Sequence, residues 1–134
     1  MDRVRERIHI NLRKEWNWLK WPITIGVLDS GIGRHPDLEG RCMVFRDFVN
    51  QKSRQYDDNG HGTHVCGILC GSGEGAMGKY RGILPNARLV VGKVLDEKGE
   101  GNAEIMLEAL EWIWNQRKLN DIRLLNISVG IGNL

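Results

Sequence analysis

Two residues of this chain are of types that could share a proton-transfer task. His61 lies in Asn59-Gly60-His61-Gly62-Thr63-His64-Val65-Cys66-Gly67, followed by the apolar Ile68-Leu69-Cys70. A histidine at the start of a helix, entered through glycines, suits a general base because its imidazole titrates near neutral pH. Such a base needs a carboxylate to fix its orientation. Asp29 closes the apolar run Ile23-Thr24-Ile25-Gly26-Val27-Leu28. From the end of a strand it could accept a hydrogen bond from one ring nitrogen and leave the other free to take a proton. Taken singly, a strand-end aspartate is more often a turn former or cap, and a glycine-flanked histidine more often structural. Neither residue identifies a site without the other.

The elements that must position them can be read from periodicity. Ile23 to Leu28 is short, nearly continuous in apolar and β-branched residues, and reads as a buried parallel strand entering a loop at Asp29-Ser30-Gly31. Similar runs occur at Cys42 to Val49, Ala87 to Leu95 and Arg123 to Val129. Between the last two, Ile105, Leu107, Leu110, Ile113 and Trp114 recur near a helical period, and Asn102 is a natural N-cap for a helix over 103–119. A strand, helix, strand unit predicts a parallel sheet with a crossover helix, hence an α/β layer architecture. Sites in such sheets lie beyond the carboxyl ends of the strands, which draws attention to Asp29 and to Ser128-Val129-Gly130.

The two motifs together resemble the subtilisin-like serine protease family. Ile25-Gly26-Val27-Leu28-Asp29-Ser30-Gly31-Ile32, with His35-Pro36-Asp37-Leu38 after it, is similar to the segment around that family's catalytic aspartate. His61-Gly62-Thr63-His64-Val65-Cys66-Gly67 is similar to its histidine motif, in family order and at a family-like separation. The likeness continues through Gly82-Ile83-Leu84-Pro85-Asn86-Ala87 and Lys93-Val94-Leu95 to Asn126-Ile127-Ser128-Val129-Gly130. It implies a subtilisin-like three-layer α/β fold in partial, truncated form, with residues 1–22 as a lead-in and 23–134 as the N-terminal half of a peptidase domain. It also implies serine-type peptide-bond hydrolysis, with Asp29 as the triad carboxylate, His61 as general base and His64 structural. Gly99-Glu100-Gly101 matches the segment that pairs with the substrate backbone as an added strand, and Ser128-Val129-Gly130 one wall of the cleft for the side chain before the scissile bond.

Departures from the family pattern shape the expectation. Cys66 stands where alanine is usual. Asp37 matches a position that binds calcium in some members, but Gly71 to Tyr80 does not resemble the loop completing that site and looks more like intracellular members. No metal or other cofactor is therefore expected. The family's nucleophile belongs to a Gly-Thr-Ser motif beyond Leu134, and the asparagine of its oxyanion hole also lies beyond. Ser30 adjoins the orienting carboxylate and Ser72 sits far along the predicted helix from His61, so neither replaces it. The chain alone is expected to be inactive, and its expected partners are a polypeptide substrate or the missing C-terminal half.

Composition is compatible with this reading and excludes others. The 134 residues suit one small domain. Hydrophobic residues at 41% and charged residues at 27% are ordinary for a globular chain. Nineteen Lys and Arg against seventeen Asp and Glu give a formal charge of +2, too balanced to suggest a nucleic-acid partner. No apolar run approaches the roughly 20 residues that span a bilayer. The basic N-terminus is not followed by the apolar segment of a secretory signal. Three cysteines, Cys42, Cys66 and Cys70, read as free thiols in a reducing, cytoplasmic compartment. In the lead-in, Ile8, Leu12, Trp16 and Leu19 have helical spacing and should pack on the domain. Two other classes compete: a non-catalytic peptide- or partner-binding module that self-associates through an open sheet edge, and a metal site of His61, His64, Cys66 and Cys70. The second is disfavoured because those side chains do not converge on one point of a helix.

Overall fold

The computed structural model describes residues 2–8 and 22–130. A short helix, α1 (Asp2–Arg7), precedes the sheet. Of the spaced apolar residues expected in the lead-in, Ile8 is exposed, and Leu12, Trp16 and Leu19 lie outside the described residues.

Four strands follow: β1 (Thr24–Asp29), β2 (Cys42–Asp47), β3 (Arg88–Lys93) and β4 (Ile122–Ile127). They form one sheet in the order β2-β3-β1-β4, every pairing parallel. Parallel neighbours cannot be joined by hairpins. The connections accordingly carry two helices, α2 (His61–Cys70) and α3 (Ala103–Gln116).

Side-chain alternation in the strands assigns the helices to opposite faces. Ile25, Val27, Leu89 and Val91 pack with Cys66 and Cys70 of α2 and with Ile32 and Leu38. Leu28 and Val90, one residue out of phase, pack with Ala109, Trp112 and Ile113 of α3 and with Phe48. The period of two along each strand thus produces a three-layer α/β/α arrangement. Burying each of these large aliphatic side chains contributes about 1.5–3 kcal/mol. Gly92 permits the α3 side to close: a Cβ there would lie 2.7 Å from Leu28 and 3.3 Å from Phe48, whose ring meets Trp112 edge-on at 5.5 Å.

The element ends have local causes. Asn102 caps α3 by accepting the Ile105 N–H at 2.9 Å, a contact of about 1 kcal/mol. The run expected to continue to Val49 stops at Asp47, because its Oδ1 accepts the N–H groups of Val49 and Asn50 at 2.9 Å and turns the chain. Beyond β3, the Val94 and Leu95 N–H groups both bend to Asp29 O, at 2.8 and 3.2 Å. In register, Asp29 opposes Lys93, and Lys93 opposes Asp47. Three buried charged residues therefore share one row at the carboxyl ends of β1, β3 and β2.

Candidate active site

Asp29 ends β1 and is fully buried, and His61 opens α2 with its side chain 49% exposed. Asp29 Oδ1 accepts from His61 Nδ1 at 2.8 Å and from the Ser30 N–H at 2.7 Å. Its Oδ2 is buried without a hydrogen-bond partner among the described residues. Holding Nδ1 this way fixes the imidazole and leaves Nε2 on the ring's other edge. The approach depends on Gly62: a Cβ there would lie 2.2 Å from Gly31 O and 3.2 Å from Asp29 Oδ1. Gly31 is equally constrained, with φ at 121° and a hypothetical Cβ 2.1 Å from Tyr56 O.

A helix start leaves backbone N–H groups without partners, and at α2 side chains supply all of them. Asn59 Oδ1 accepts the His61 N–H at 3.1 Å and Ser30 Oγ the Gly62 N–H at 2.9 Å. Asp57 accepts the N–H groups of Gly60 and Thr63 at 2.9 and 2.8 Å, the Thr63 hydroxyl at 2.5 Å and the Ser30 hydroxyl at 2.9 Å. Burial opposes charge on Asp57, but these donors outweigh it and hold the carboxyl down to about 2. Thr63 Oγ1 in turn accepts the Gly33 N–H at 2.8 Å. The loop after β1 and the start of α2 are thereby locked together through Ser30, Asp57 and Thr63.

His61 lines a cleft of about 890 Å³ whose walls include Gly99, Glu100, Gly101, Ser128, Val129 and Gly130. The six expected substrate-contacting residues and the histidine are thus brought to one cavity, with Asp29 buried behind it. Leu95 and Met106 add apolar surface. Asn59 joins the two sides, since its Nδ2 donates to Glu97 O at 3.1 Å.

Other singled-out residues fall elsewhere. His64 borders a separate groove with Tyr80 and Ile68. The Ser72 N–H bonds to Asp37 O, and the Asp37 carboxylate accepts the Gly75 N–H at 2.6 Å, tying down the loop after α2. Cys66 and Cys70 are buried. Burial, with Cys70 nearby, pushes the Cys66 thiol well above its usual range, and burial lifts Cys70 to about 12 and Cys42 to about 11. Among the described residues, no group of three or more His, Cys, Asp or Glu side chains could hold a metal ion. Asp57, Asn59 and the buried Lys93 had not been singled out for the site. For Asp57 and Asn59 the sequence signal is the polar run Asp57-Asp58-Asn59-Gly60, which reads equally as a turn; Lys93 stands in an otherwise apolar strand, in the segment Lys93-Val94-Leu95.

A buried strand-end aspartate holding the Nδ1 side of a helix-start histidine, beside a cleft open along a sheet edge, is the arrangement of one half of a serine-hydrolase triad. Comparison with known proteins agrees. The chain belongs to the subtilase family, whose model matches residues 22–133. It is 44% identical over 111 residues to the serine protease AprX of Bacillus subtilis, covering 81% of this chain and 25% of that protein. It is 36% identical over 108 residues to subtilisin Savinase of Lederbergia lenta, covering 81% of this chain and 37% of the relative. The solved structure of a cold adapted subtilisin-like serine proteinase matches 74% of this chain and 34% of its own, with a TM-score of 0.63 and 31% identity. The partial parallel sheet is therefore a subtilisin-like α/β fold. The chain spans well under half the length of each of these relatives.

Proposed function

We propose that this chain carries the general base and orienting carboxylate of a serine-type endopeptidase, His61 and Asp29 respectively. The observation supporting this reading is the 2.8 Å hydrogen bond from His61 Nδ1 to buried Asp29, made at the edge of the cleft. Nε2 then takes the proton of a serine hydroxyl as it attacks the scissile carbonyl, and returns it to the leaving amine. Within Gly99-Glu100-Gly101, the Gly99 and Glu100 N–H groups and the Glu100 carbonyl bond to Asp96, and the main chain of Gly101 meets an extended peptide, a mode of recognition that tolerates many sequences. Ser30 is not the nucleophile, because its hydroxyl already donates to Asp57 and accepts from Gly62. The serine and the oxyanion donors come from a polypeptide segment outside 22–130, which is the partner that completes the site.

The test uses the purified 134-residue chain and the same chain complemented, in trans or by fusion, with a serine-bearing subtilisin-like segment. The chain alone leaves an unfolded protein substrate intact; the complemented enzyme cleaves it. His61→Ala in the complemented form lowers kcat by about 10⁴–10⁶-fold. Turnover by the short chain that disappears with His61→Ala would reveal a nucleophile within it, and a folded but inactive complement would remove support for the pair.

One observation favours a second role, a peptide- or partner-binding module. β4 pairs only with β1 among the described strands, and leaves Leu124, Leu125 and Ile127 exposed. Such an edge takes either the complementing segment or a second copy of the chain. Among the described residues no helix is long and apolar enough to cross a membrane. We place the chain in the cytoplasm on its three free thiols, although one relative is named minor extracellular protease Epr. Fractionation of the producing cells decides between the two compartments.

A further inference from the structure

Lys93 is the largest fully buried side chain of the molecule's described part. Its ammonium has three N–H groups, and the structure matches them with three oxygens, each at 2.7 Å: Ser30 O, Asp58 Oδ1 and Leu95 O. The Tyr56 ring lies 5.1 Å away, and its hydroxyl donates to Asp47 at 2.5 Å, so the residue opposite Lys93 in β2 steadies the same pocket. In register Lys93 stands between two buried carboxylates, opposite Asp29 of β1 and Asp47 of β2. The three acceptors belong to the three segments that meet at the cleft: the loop after Asp29, the loop leading into His61, and the cleft wall at Leu95.

The link to the reacting groups is short. Lys93 holds the carbonyl of Ser30; the N–H of Ser30 donates to Asp29 Oδ1, the same atom that meets His61 Nδ1. The Ser30 hydroxyl is fixed at both its donor and acceptor sides. Removing the ammonium frees the one group of Ser30 that no other residue holds among the described bonds, and allows the peptide that aims at Asp29 to rotate. The Leu95 carbonyl is released in the same event. Asp58, 35% exposed, ties this grip to the loop whose neighbour Asn59 caps the His61 N–H.

We infer that Lys93 is a positioning residue, whose single ammonium keeps the peptide-binding wall at Leu95 in register with the Asp29–His61 pair. The inference builds on the role proposed for that pair, but its test needs no turnover. Solution NMR of the 134-residue chain reads the His61 Nδ1 proton and its exchange with water. The parent chain shows a downfield, slowly exchanging proton. Lys93→Met, of similar length but without donors, speeds exchange roughly tenfold or more. Asp58→Asn, which still offers an oxygen to Lys93, stays near the parent. Ile113→Ala, in the α3 layer, destabilises the chain without touching the network and leaves the proton as protected as in the parent. In the complemented enzyme, Lys93→Met lowers kcat by about 10²-fold and raises KM, because both sides of the cleft move.

The outcomes separate the claims. A parent chain without a protected Nδ1 proton overturns the Asp29–His61 pairing itself. Parent-like protection in folded Lys93→Met, or equal loss in Ile113→Ala, overturns the role of Lys93 alone. Should Lys93→Met not fold, Asp58→Leu removes one of the three oxygens from a part-exposed loop; faster exchange there supports the inference, and unchanged exchange overturns it.

Discussion

At the His61 end of the cleft, side chains accept every first-turn N–H of α2 and the Asp29 carboxylate is fully buried. At the Ser128 end, β4 is bonded on one side only among the described strands, and Leu124 is 53% and Ile127 41% exposed. One end is held by short-range, directional polar contacts that need nothing further. The other presents apolar surface and unpaired backbone, which are satisfied only by more polypeptide. The geometry proposed for proton transfer and the geometry proposed for substrate binding are therefore secured by different means, and they should fail separately.

The strongest way to break the contrast is Asp57→Ala. It leaves the N–H groups of Gly60 and Thr63 and two hydroxyls without their acceptor, and should cost about 3 kcal/mol in urea unfolding. The same residue gives a pH signature. Its carboxyl sits near 2 in the folded chain, below about 3.9 when unfolded. The stability it supplies is complete above the unfolded value and is lost as pH falls through the folded one. Acid titration of Asp57→Asn should lack that loss between about pH 4 and 2.

A smaller effect separates two glycines of one helix. Gly62→Ala forces a methyl to 2.2 Å from Gly31 O and should cost about 1–3 kcal/mol, with loss of the His61–Asp29 hydrogen bond in the NMR spectrum. Gly67→Ala meets nothing within 4 Å and should be neutral or stabilising by about 0.4–1 kcal/mol. Equal thermal shifts for the two would show that the tight approach at Gly62 is not real.

The smallest change in stability is expected at the open end. Leu124→Lys with Ile127→Lys replaces exposed apolar groups, so the melting free energy should stay within about 0.5 kcal/mol of the parent. Self-association measured by sedimentation should nevertheless fall. A pair that unfolded the chain would mean that β4 is already covered in solution.

Much of this was legible in the sequence, and the rest was hidden for physical reasons. The four apolar runs became strands because β-branched residues flanked by turns have few other solutions, and Asn102 capped its helix as its type and position implied. Asp29 and His61 were legible because each sits at an element boundary within a distinctive motif. Asp57 was not, since a residue rich in local turn partners looks the same whether or not Ser30 reaches it from 27 positions away. Lys93 was quoted in the family resemblance without a role. Lysine is almost never fully buried unless paired, and two of its three oxygens, on Ser30 and Asp58, come from residues distant in sequence. Strand ends moved for similar reasons, as at Asp47, where a side chain competed with the ladder for backbone donors.

The strand order has a consequence for how the molecule is made. Thr24 pairs with Arg88 on one side and Ile122 on the other, so β1 is made before either of the strands it pairs with. At about 5–20 residues per second, synthesis leaves this apolar segment waiting for seconds before β3 arrives, and longer before β4. Non-local parallel pairing is slow to form and exposed to aggregation in the interval. The nascent segment around Asp29 thus stays open to association until then, and residues made later decide whether β1 finds its place in the sheet.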